Sequence, residues 1–361
     1  MSAPYRAHVC GSVSDLDKRL SERPVNHGAI VLAAGISTEE FVSLPSQLQS
    51  PTHTDVFVRV PGVIFDGNLQ TSCYLVLQTW QTLDPIVLSS HSEIPPSRRP
   101  VFSQGKSTLL LFVDWALPNI DERLMDLWDH YGHQYAYVGA GVGDLEYPDA
   151  PSIIVGDTAH QKTLVGIPFP VQTNAVVKHG WLPEDEPLVV TKAQGNILHE
   201  LNWQPAWPVY QKYLREHFDV ACTEDNFNRV AMGYPLVMQR AAGSPIIRDP
   251  VAIIDRSALL CVGQLRPQSV IRVSRGNERS MTQAAREATS AHLPSGPDLV
   301  IDCVSRRLFL GDQFDREASI LGAPSVETAS TVGILSIGEI ATVGQGNLSF
   351  LNKSIVSARF S

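Results

Sequence analysis

Cysteine is scarce in this sequence, which has five cysteines in 361 residues, widely separated and never in a C-x-x-C pair. Disulfide frameworks and zinc sites both depend on closely grouped cysteines, so this spacing argues against either. The pattern instead predicts free, mostly buried thiols in a reducing compartment.

Long apolar segments are also lacking. The longest apolar runs, such as residues 108–113, fall far short of the roughly 20 residues that span a bilayer. The first 17 residues contain no apolar stretch of the kind found in a signal peptide. These absences predict a cytoplasmic protein with no membrane partner.

Basic residues are the minority charge. The sequence has 28 Lys and Arg against 37 Asp and Glu, which gives a net charge of −9, and it contains no dense basic run. A nucleic-acid-binding surface needs concentrated positive charge. We therefore expect no nucleic-acid partner.

The composition that remains is globular, with 43% apolar and 18% charged residues in a chain too long for one ordinary hydrophobic core. Strand and helix patterns predict an α/β fold of two modules, each a mixed sheet with helices packed on it. We place a polar N-terminal lead-in at residues 1–26, the first module at 27–202 and the second at 203–361.

A weak internal repeat runs through these patterns. A strand–helix–strand unit that ends in a turn is predicted at residues 108–144 and again at 298–340. A looser copy covers 29–67, in which residues 56–64 read as one strand. Ligands of open α/β sheets bind at such strand ends, so the turns are candidate sites.

The turn of the first of these units carries a set of small residues, namely Gly139, Gly141, Gly143 and Asp144. Glycine allows the backbone to approach a ligand closely, so we predict that this turn binds one; alternatively, the glycines serve only the turn itself. The spacing does not fit a dinucleotide site, which needs the third glycine one position later and a helix directly after it.

Polar residues interrupt the apolar strands of the second half, and the ligand-binding candidates among them are Arg248, Asp249, Cys303, Arg306, Glu339 and Asn352. A buried charge must be paired or functional, because its isolated burial costs several kcal/mol. The Arg306 fork suits a carboxylate and Glu339 an ammonium group, so together they would hold a zwitterion. Alternatively, Arg306 and Glu339 pair with each other and brace the sheet.

Cys303 carries a second alternative. An arginine three residues away could lower the pKa of its thiol and make it a nucleophile. It could equally be a small buried apolar residue. No G-x-S-x-G motif or other catalytic constellation is recognisable, so we expect a binding protein more than an enzyme.

Taken in order, several short motifs resemble those of FIST-domain proteins of the stand-alone bacterial or archaeal type. The resemblance covers residues 27–361 and includes both the FIST N and the FIST C module. Its motifs are His179-Gly180-Trp181, residues 190–196, Pro205-Ala206 with Tyr210, residues 247–250, residues 302–306, residues 338–340 and residues 352–354.

This resemblance implies a sensory protein for signal transduction that binds a small molecule, suspected to be an amino acid or related metabolite. Its output would pass to a separate signalling protein such as a kinase. Some members resemble haem-binding nitric-oxide sensors that act on histidine kinases, so haem is the alternative ligand. We expect no cofactor, because histidines at turns usually sit in water. A scaffold that binds only protein is a further alternative.

The chain departs from the family pattern at one point. Many members carry a histidine before the final asparagine, in a His-Asn-Gln-Thr-like run, whereas residues 351–354 here are Leu-Asn-Lys-Ser. The departure removes one polar group from the implied pocket, which predicts either an altered pocket or a member that has kept the fold and changed its use.

Overall fold

A computed structural model describes residues 4–49, 54–96, 107–240, 244–292, 297–322, 331–342 and 348–361. The α-helices among them are α1 (Val13–Ser21), α2 (Thr38–Gln47), α3 (Ile120–Tyr131), α4 (Ala206–Phe218), α5 (Phe227–Ala231), α6 (Glu278–Ser290), α7 (Val304–Leu310) and α8 (Phe314–Leu321).

The strands of the first half are β1 (Tyr5–Cys10), β2 (Ala29–Ala34), β3 (Val56–Val60), β4 (Gly62–Phe65), β5 (Asn68–Gln70), β6 (Cys73–Thr79), β7 (Ile86–Ser89), β8 (Ser107–Asp114), β9 (Tyr135–Val142), β10 (Ile153–Val155), β11 (Thr158–His160), β12 (Thr163–Phe169) and β13 (Thr173–Lys178). Those of the second half are β14 (Leu182–Pro183), β15 (Leu188–Gln194), β16 (Ile197–Leu201), β17 (Gln204–Pro205), β18 (Leu236–Met238), β19 (Ile246–Ile254), β20 (Ala258–Val262), β21 (Val270–Arg275), β22 (Leu299–Cys303), β23 (Val332–Ser336), β24 (Glu339–Thr342), β25 (Leu348–Leu351) and β26 (Ile355–Phe360).

The predicted α/β class and internal repeat are both confirmed, and the repeat is threefold. Each copy is a parallel strand pair joined through helix: β2 with β3, β8 with β9, and β22 with β23. Three six-stranded sheets have equivalent strand orders, β1-β6-β2-β3-β10-β11, β7-β12-β8-β9-β24-β25 and β13-β26-β22-β23-β4-β5. We call these sheets and their helices the threefold body.

The three sheets exchange hairpins in a cycle. Hairpin β10–β11 of the second copy pairs with β3 of the first, β24–β25 of the third pairs with β9 of the second, and β4–β5 of the first pairs with β23 of the third. Each sheet is therefore completed by residues of another copy. Strand pairs also cross the boundary predicted at residues 202 and 203, and β1 and α1 of the predicted lead-in pack into the first sheet.

One strand prediction is wrong in its extent. Residues 56–64 were expected to form one strand, but β3 ends at Val60 and β4 begins at Gly62, in a different sheet. Pro61 lies between them and has no backbone N–H to donate to a continuing strand ladder. The break is what sends the β4–β5 hairpin to the third sheet.

A separate sheet is inserted between β13 and α6. Its strands pair antiparallel in the ring β15-β16-β20-β19-β18-β21, and β21 pairs back onto β15. We call this ring the closed sheet. Helix α4 packs on β16 and β20, and its Tyr210 is fully buried there among the apolar residues of the ring.

Apolar side chains on both faces of the central strands explain the layering. The inner faces of the three sheets contribute residues such as Leu32, Phe112 and Ile301 to one shared core, which continues into the closed sheet. Helices α1 and α2, α3, and α6 with α8 cover the three outer faces over smaller cores. Strands buried on both faces read as continuous apolar runs, as these do.

Candidate functional site

A cavity of about 690 Å³ lies between the closed sheet and the threefold body. The threefold body contributes the segment that leads into α3, the end of β22 with the first turn of α7, and the turn after β23. The closed sheet contributes β19, β20 and the loop after β20. The polar side chains among its described lining residues are Asn119, Asp121, Asn196, Asn228, Asp249, Gln264, Ser305 and Asn352.

Most of the remaining lining residues are apolar, and Trp115, Phe350 and Met232 are the largest of them. The segments that line the cavity follow the carboxyl ends of two of the three parallel strand pairs, β8 with β9 and β22 with β23. Open α/β sheets bind ligands at such ends. A mainly apolar wall with a few convergent polar groups is typical of small-molecule sites.

Asp249 is the most deeply buried carboxylate of the cavity wall, with a side chain 8% exposed. Its Oδ2 lies 3.1 Å from Nζ of Lys353, while Oδ1 has no hydrogen-bond partner among the described residues. Burial raises the pKa of the Asp249 carboxyl, and the Lys353 ammonium opposes that rise. Lys353 itself is fully buried behind the wall, where its Nζ donates to the Met232 carbonyl at 2.9 Å and lies over the Trp181 ring.

Arg248 ties the closed sheet to the threefold body without lining the cavity. Its Nη1 donates to Asn352 Oδ1 at 3.2 Å, and its Nη2 to Asp121 Oδ1 at 3.3 Å. The second oxygen of Asp121 accepts the backbone N–H of Gln264 at 3.0 Å. Arg248 and Asp249 are neighbours on β19, so their side chains point to opposite sides, as alternation requires. The pairing of β19 with β20 has an irregularity directly after them, between Pro250 and Ala252.

Cys303 ends β22 and lines the cavity, with Glu339 fully buried behind it. Glu339 accepts hydrogen bonds from the Ser336 hydroxyl at 2.8 Å and the Ser354 N–H at 3.0 Å. Burial raises the pKa of Glu339 to about 8. Burial, and then the Glu339 carboxylate, raise the pKa of the Cys303 thiol well above its ordinary value, so the predicted depression of that pKa by Arg306 is wrong.

Arg306 is placed away from the cavity, inside a buried ion cluster. It lies on α7, where its Nε and Nη2 donate to Glu317 Oε1 and Oε2 at 2.9 and 2.6 Å. Asp302, at the end of β22, lies 3.3 Å from Nε, and the His179 carbonyl accepts from Nη1. The predicted Arg306–Glu339 pair is thus replaced by an Arg306–Glu317 pair. Sequence reasoning missed α7, and a helix starting at Val304 turns Arg306 toward α8.

The glycine-rich segment is also placed differently from its prediction. Gly139 and Gly141 lie inside β9 and form no turn; a Cβ on Gly139 would come within 2.2 Å of the Leu111 carbonyl oxygen. On Gly141 a Cβ would come within 2.4 Å of the Ile337 carbonyl oxygen, so both glycines allow close strand packing. Gly143 follows β9 at φ +123°, where L side chains are strained.

Asp144 supports a cavity wall from outside. Its Oδ2 pairs with Arg59 Nη2 at 2.6 Å, and its carbonyl accepts the indole N–H of Trp115 at 3.0 Å. Trp115 lines the cavity, so Asp144 positions a lining residue but is not one itself. None of the four residues of the glycine-rich segment lines the cavity.

The structure therefore brings together part of the predicted set. Asp249, Cys303 and Asn352 line one cavity, and Arg248 and Glu339 lie directly behind its wall. The residues that sequence reasoning missed are Asp121, on the first turn of α3, and Lys353. A carboxylate in the first turn of a helix is ordinarily explained by the helix dipole, so Asp121 carries no separate signal in the sequence. Lys353 belongs to the motif at residues 352–354, which does not indicate that it pairs with Asp249.

Within the described ranges, no group of three or more His, Cys, Asp and Glu side chains is arranged to hold a metal ion. All five cysteines are free and buried.

Comparison with known protein families adds the decisive observation. A model of the FIST N domain matches residues 13–204, and a model of the FIST C domain matches residues 206–342. The chain belongs to the FIST family. FIST domains are associated with sensory signal transduction and small-ligand binding. A search of curated proteins found no match to this chain.

The two FIST models meet at residues 204 and 206, inside the closed sheet, between β17 and α4. The FIST N region thus supplies β15 and β16 of the ring, and the FIST C region supplies the rest. Both also line the cavity, for example through Trp115 and Asp249. In the described part of this FIST protein, no helix has the length and apolar character needed to cross a membrane.

Proposed function

We propose that this FIST protein is a sensor that binds one small molecule in the cavity between the closed sheet and the threefold body, and passes the signal to a separate signalling protein. One observation carries the proposal: a cavity of about 690 Å³ with a mainly apolar wall and a few buried polar groups. Cavities of about 300–1,000 Å³ with that character are the usual sites for small ligands.

The position of the cavity supports a signalling role. A ligand there touches β19 and β20 on one side and the start of α7 on the other. Binding that contacts two bodies favours the arrangement in which both contacts are made. The surface a partner reads would then change with occupancy, through the relative position of the closed sheet and the threefold body.

The proposal is tested by blocking the cavity. Val262 lines it and is partly exposed, so Val262→Trp would fill part of the volume without disturbing the fully buried core. The matched control is Val87→Trp, at a valine 36% exposed on strand β7 that does not line the cavity. The probe is Nile red, a neutral dye whose fluorescence rises in an apolar site.

We expect saturable, one-site Nile red binding by the unmodified protein and by Val87→Trp, and at least about tenfold weaker binding by Val262→Trp, because the added ring occupies the site. Mass spectrometry of the denatured protein would identify any small molecule that co-purifies. Equal Nile red binding by both tryptophan variants would refute the proposed site.

The haem alternative does not fit this cavity. Haem iron takes a histidine, cysteine thiolate, methionine or tyrosine as axial ligand. The described lining contains no histidine and no tyrosine, and burial raises the pKa of both lining cysteines, Cys261 and Cys303, so neither is favoured as a thiolate. Met232 remains as a single thioether. The raised pKa of Cys303 equally disfavours the alternative of an enzyme with a nucleophilic thiolate.

A further inference from the structure

The ionic character of the cavity is one-sided. Asp121 and Asp249 are the carboxylates among its described lining residues, and no Lys, Arg or His is among them. The two cations that neutralise these carboxylates, Arg248 and Lys353, lie behind the wall, where each is almost fully buried. A ligand in the cavity therefore meets the negative ends of two ion pairs.

The two carboxylates differ in what they can still accept. Both oxygens of Asp121 are engaged, by Arg248 and by the Gln264 N–H. At Asp249, Oδ2 pairs with Lys353 and the Ser305 hydroxyl also stabilises the charged carboxylate, while Oδ1 is buried and meets no hydrogen-bond donor of good geometry among the described residues. A buried acceptor that makes no hydrogen bond destabilises the protein, so a ligand that brings a hydrogen-bond donor to Asp249 is favoured.

Geometry allows a ligand to reach this carboxylate. The Asp249 side chain lines the cavity and retains 8% exposure. Rotation about its χ2 is broad and twofold, so one oxygen can stay on Lys353 while the other turns to the cavity. Trp115 and Phe350 line the same space and offer aromatic surface to the apolar part of a ligand.

We infer that the ligand of this cavity is an apolar primary amine in its cationic form, with the ammonium group on the Asp249 carboxylate and the apolar part among Trp115, Phe350 and their neighbours. The inference rests on the proposed function, since it assigns the chemistry of the same cavity. It also bears on the predicted amino-acid ligand: the ammonium of an amino acid would pair with Asp249, but its carboxylate would meet no cationic side chain among the described lining residues. The same lining disfavours anionic ligands such as phosphates and dicarboxylates.

The test uses three compounds of the same shape, 4-phenylbutylamine, 4-phenylbutanol and 4-phenylbutanoate, each competing with Nile red at pH 7. We expect the amine to displace the dye at least about tenfold more tightly than the alcohol, because hydrogen bonds between ionised groups are the stronger kind. The carboxylate should displace it weakest. A carboxylate that competes as well as the amine would overturn the inference.

Asp249→Asn removes the charge and should bring the amine and the alcohol to within about twofold of each other while Nile red still binds. The matched control is Asp157→Asn, at an exposed aspartate in the β10–β11 turn that does not line the cavity, and it should keep the full preference. If Asp249→Asn does not fold because Lys353 is left unpaired, the double variant Asp249→Asn/Lys353→Met removes both charges and takes its place.

The outcomes separate the two proposals. An amine preference that persists without the Asp249 carboxylate would overturn the role of Asp249. If the unmodified protein shows no saturable Nile red binding, that result would instead refute the cavity as a ligand site. Tight dye binding together with a preference for the carboxylate would leave the sensor proposal standing and overturn the amine inference alone.

Discussion

Removal of Arg306 should destabilise the protein strongly and leave the cavity intact. The Arg306 guanidinium is fully buried, and so are its partners Glu317 and Asp302. Burial, and then the neighbouring Glu317 carboxylate, raise the pKa of Asp302 well above its ordinary value, so the central ion pair is Arg306 with Glu317. Arg306→Leu leaves the Glu317 charge buried without its counter-ion, which costs about 3–5 kcal/mol.

The assay is urea unfolding at pH 7, which gives the free energy of unfolding of each variant. Arg316→Leu is the matched control, since Arg316 forms an exposed pair with Glu278 next to the same cluster and should cost at most about 1 kcal/mol. The double variant Arg306→Leu/Glu317→Leu removes both buried charges and should recover a large part of the loss.

Nile red binding supplies the second measurement for the same variants. Because Arg306 does not line the cavity, the folded fraction of Arg306→Leu should bind the dye as the unmodified protein does. The reasoning fails if Arg306→Leu costs less than about 1 kcal/mol. It also fails if the variant keeps its stability and loses ligand binding, which is the result expected of a binding residue.

Three further predictions follow from the same contacts. Glu339 has a pKa raised to about 8 and His179 one lowered to about 4, both by burial, so their effects on stability oppose each other below about pH 6.5. Between about pH 6.5 and 8 only Glu339 of the two changes its protonation. The folded protein still holds the Glu339 proton there and the unfolded chain has lost it, so the free energy of unfolding should fall by about 1.4 kcal/mol per pH unit. Glu339→Gln should remove this fall, and an unchanged slope in urea titrations of the variant would contradict the assignment. Gly263 has φ +80°, and an added Cβ would lie 2.7 Å from Arg248 Cζ, so Gly263→Ala should cost more than about 1 kcal/mol in the same titration. The Cys303 thiol should resist iodoacetamide at pH 7.5 in the native protein and react only on unfolding; rapid native alkylation would show that burial does not hold its pKa up.

The sequence alone was sufficient for the class of fold and for many of the local elements, but not for helix α7 or for the break between β3 and β4. Buried strands such as β2 and β8 are continuous apolar runs, and α2 begins after Ser37, which accepts a hydrogen bond from the Glu40 N–H. The strand–helix–strand repeat was visible because each copy carries the same order of apolar segments. These features depend on neighbours a few residues apart, which a sequence displays directly.

The tertiary structure decided which strands meet, and with that the site. The hairpin exchange pairs β24 with β9 and β4 with β23, so residues more than a hundred positions apart in sequence become neighbours. Local patterns carry no record of such pairing, because any apolar strand edge can accept another. Gly141 therefore read as a turn residue, although its small size serves contact with Ile337.

The partner of each buried charge was the other feature beyond sequence reasoning. By charge alone, Arg306 could pair with Glu339 or with Glu317. Helix α7 determines the partner, because its first turn directs the guanidinium toward α8 and Glu317. Asp249 pairs with Lys353, and Arg248 with Asp121, across the interface between the closed sheet and the threefold body. Charge and residue type showed that these groups must be paired, since unpaired burial is costly. Only the packing of distant elements determined which carboxylates line the cavity and which cations pair with them behind its wall.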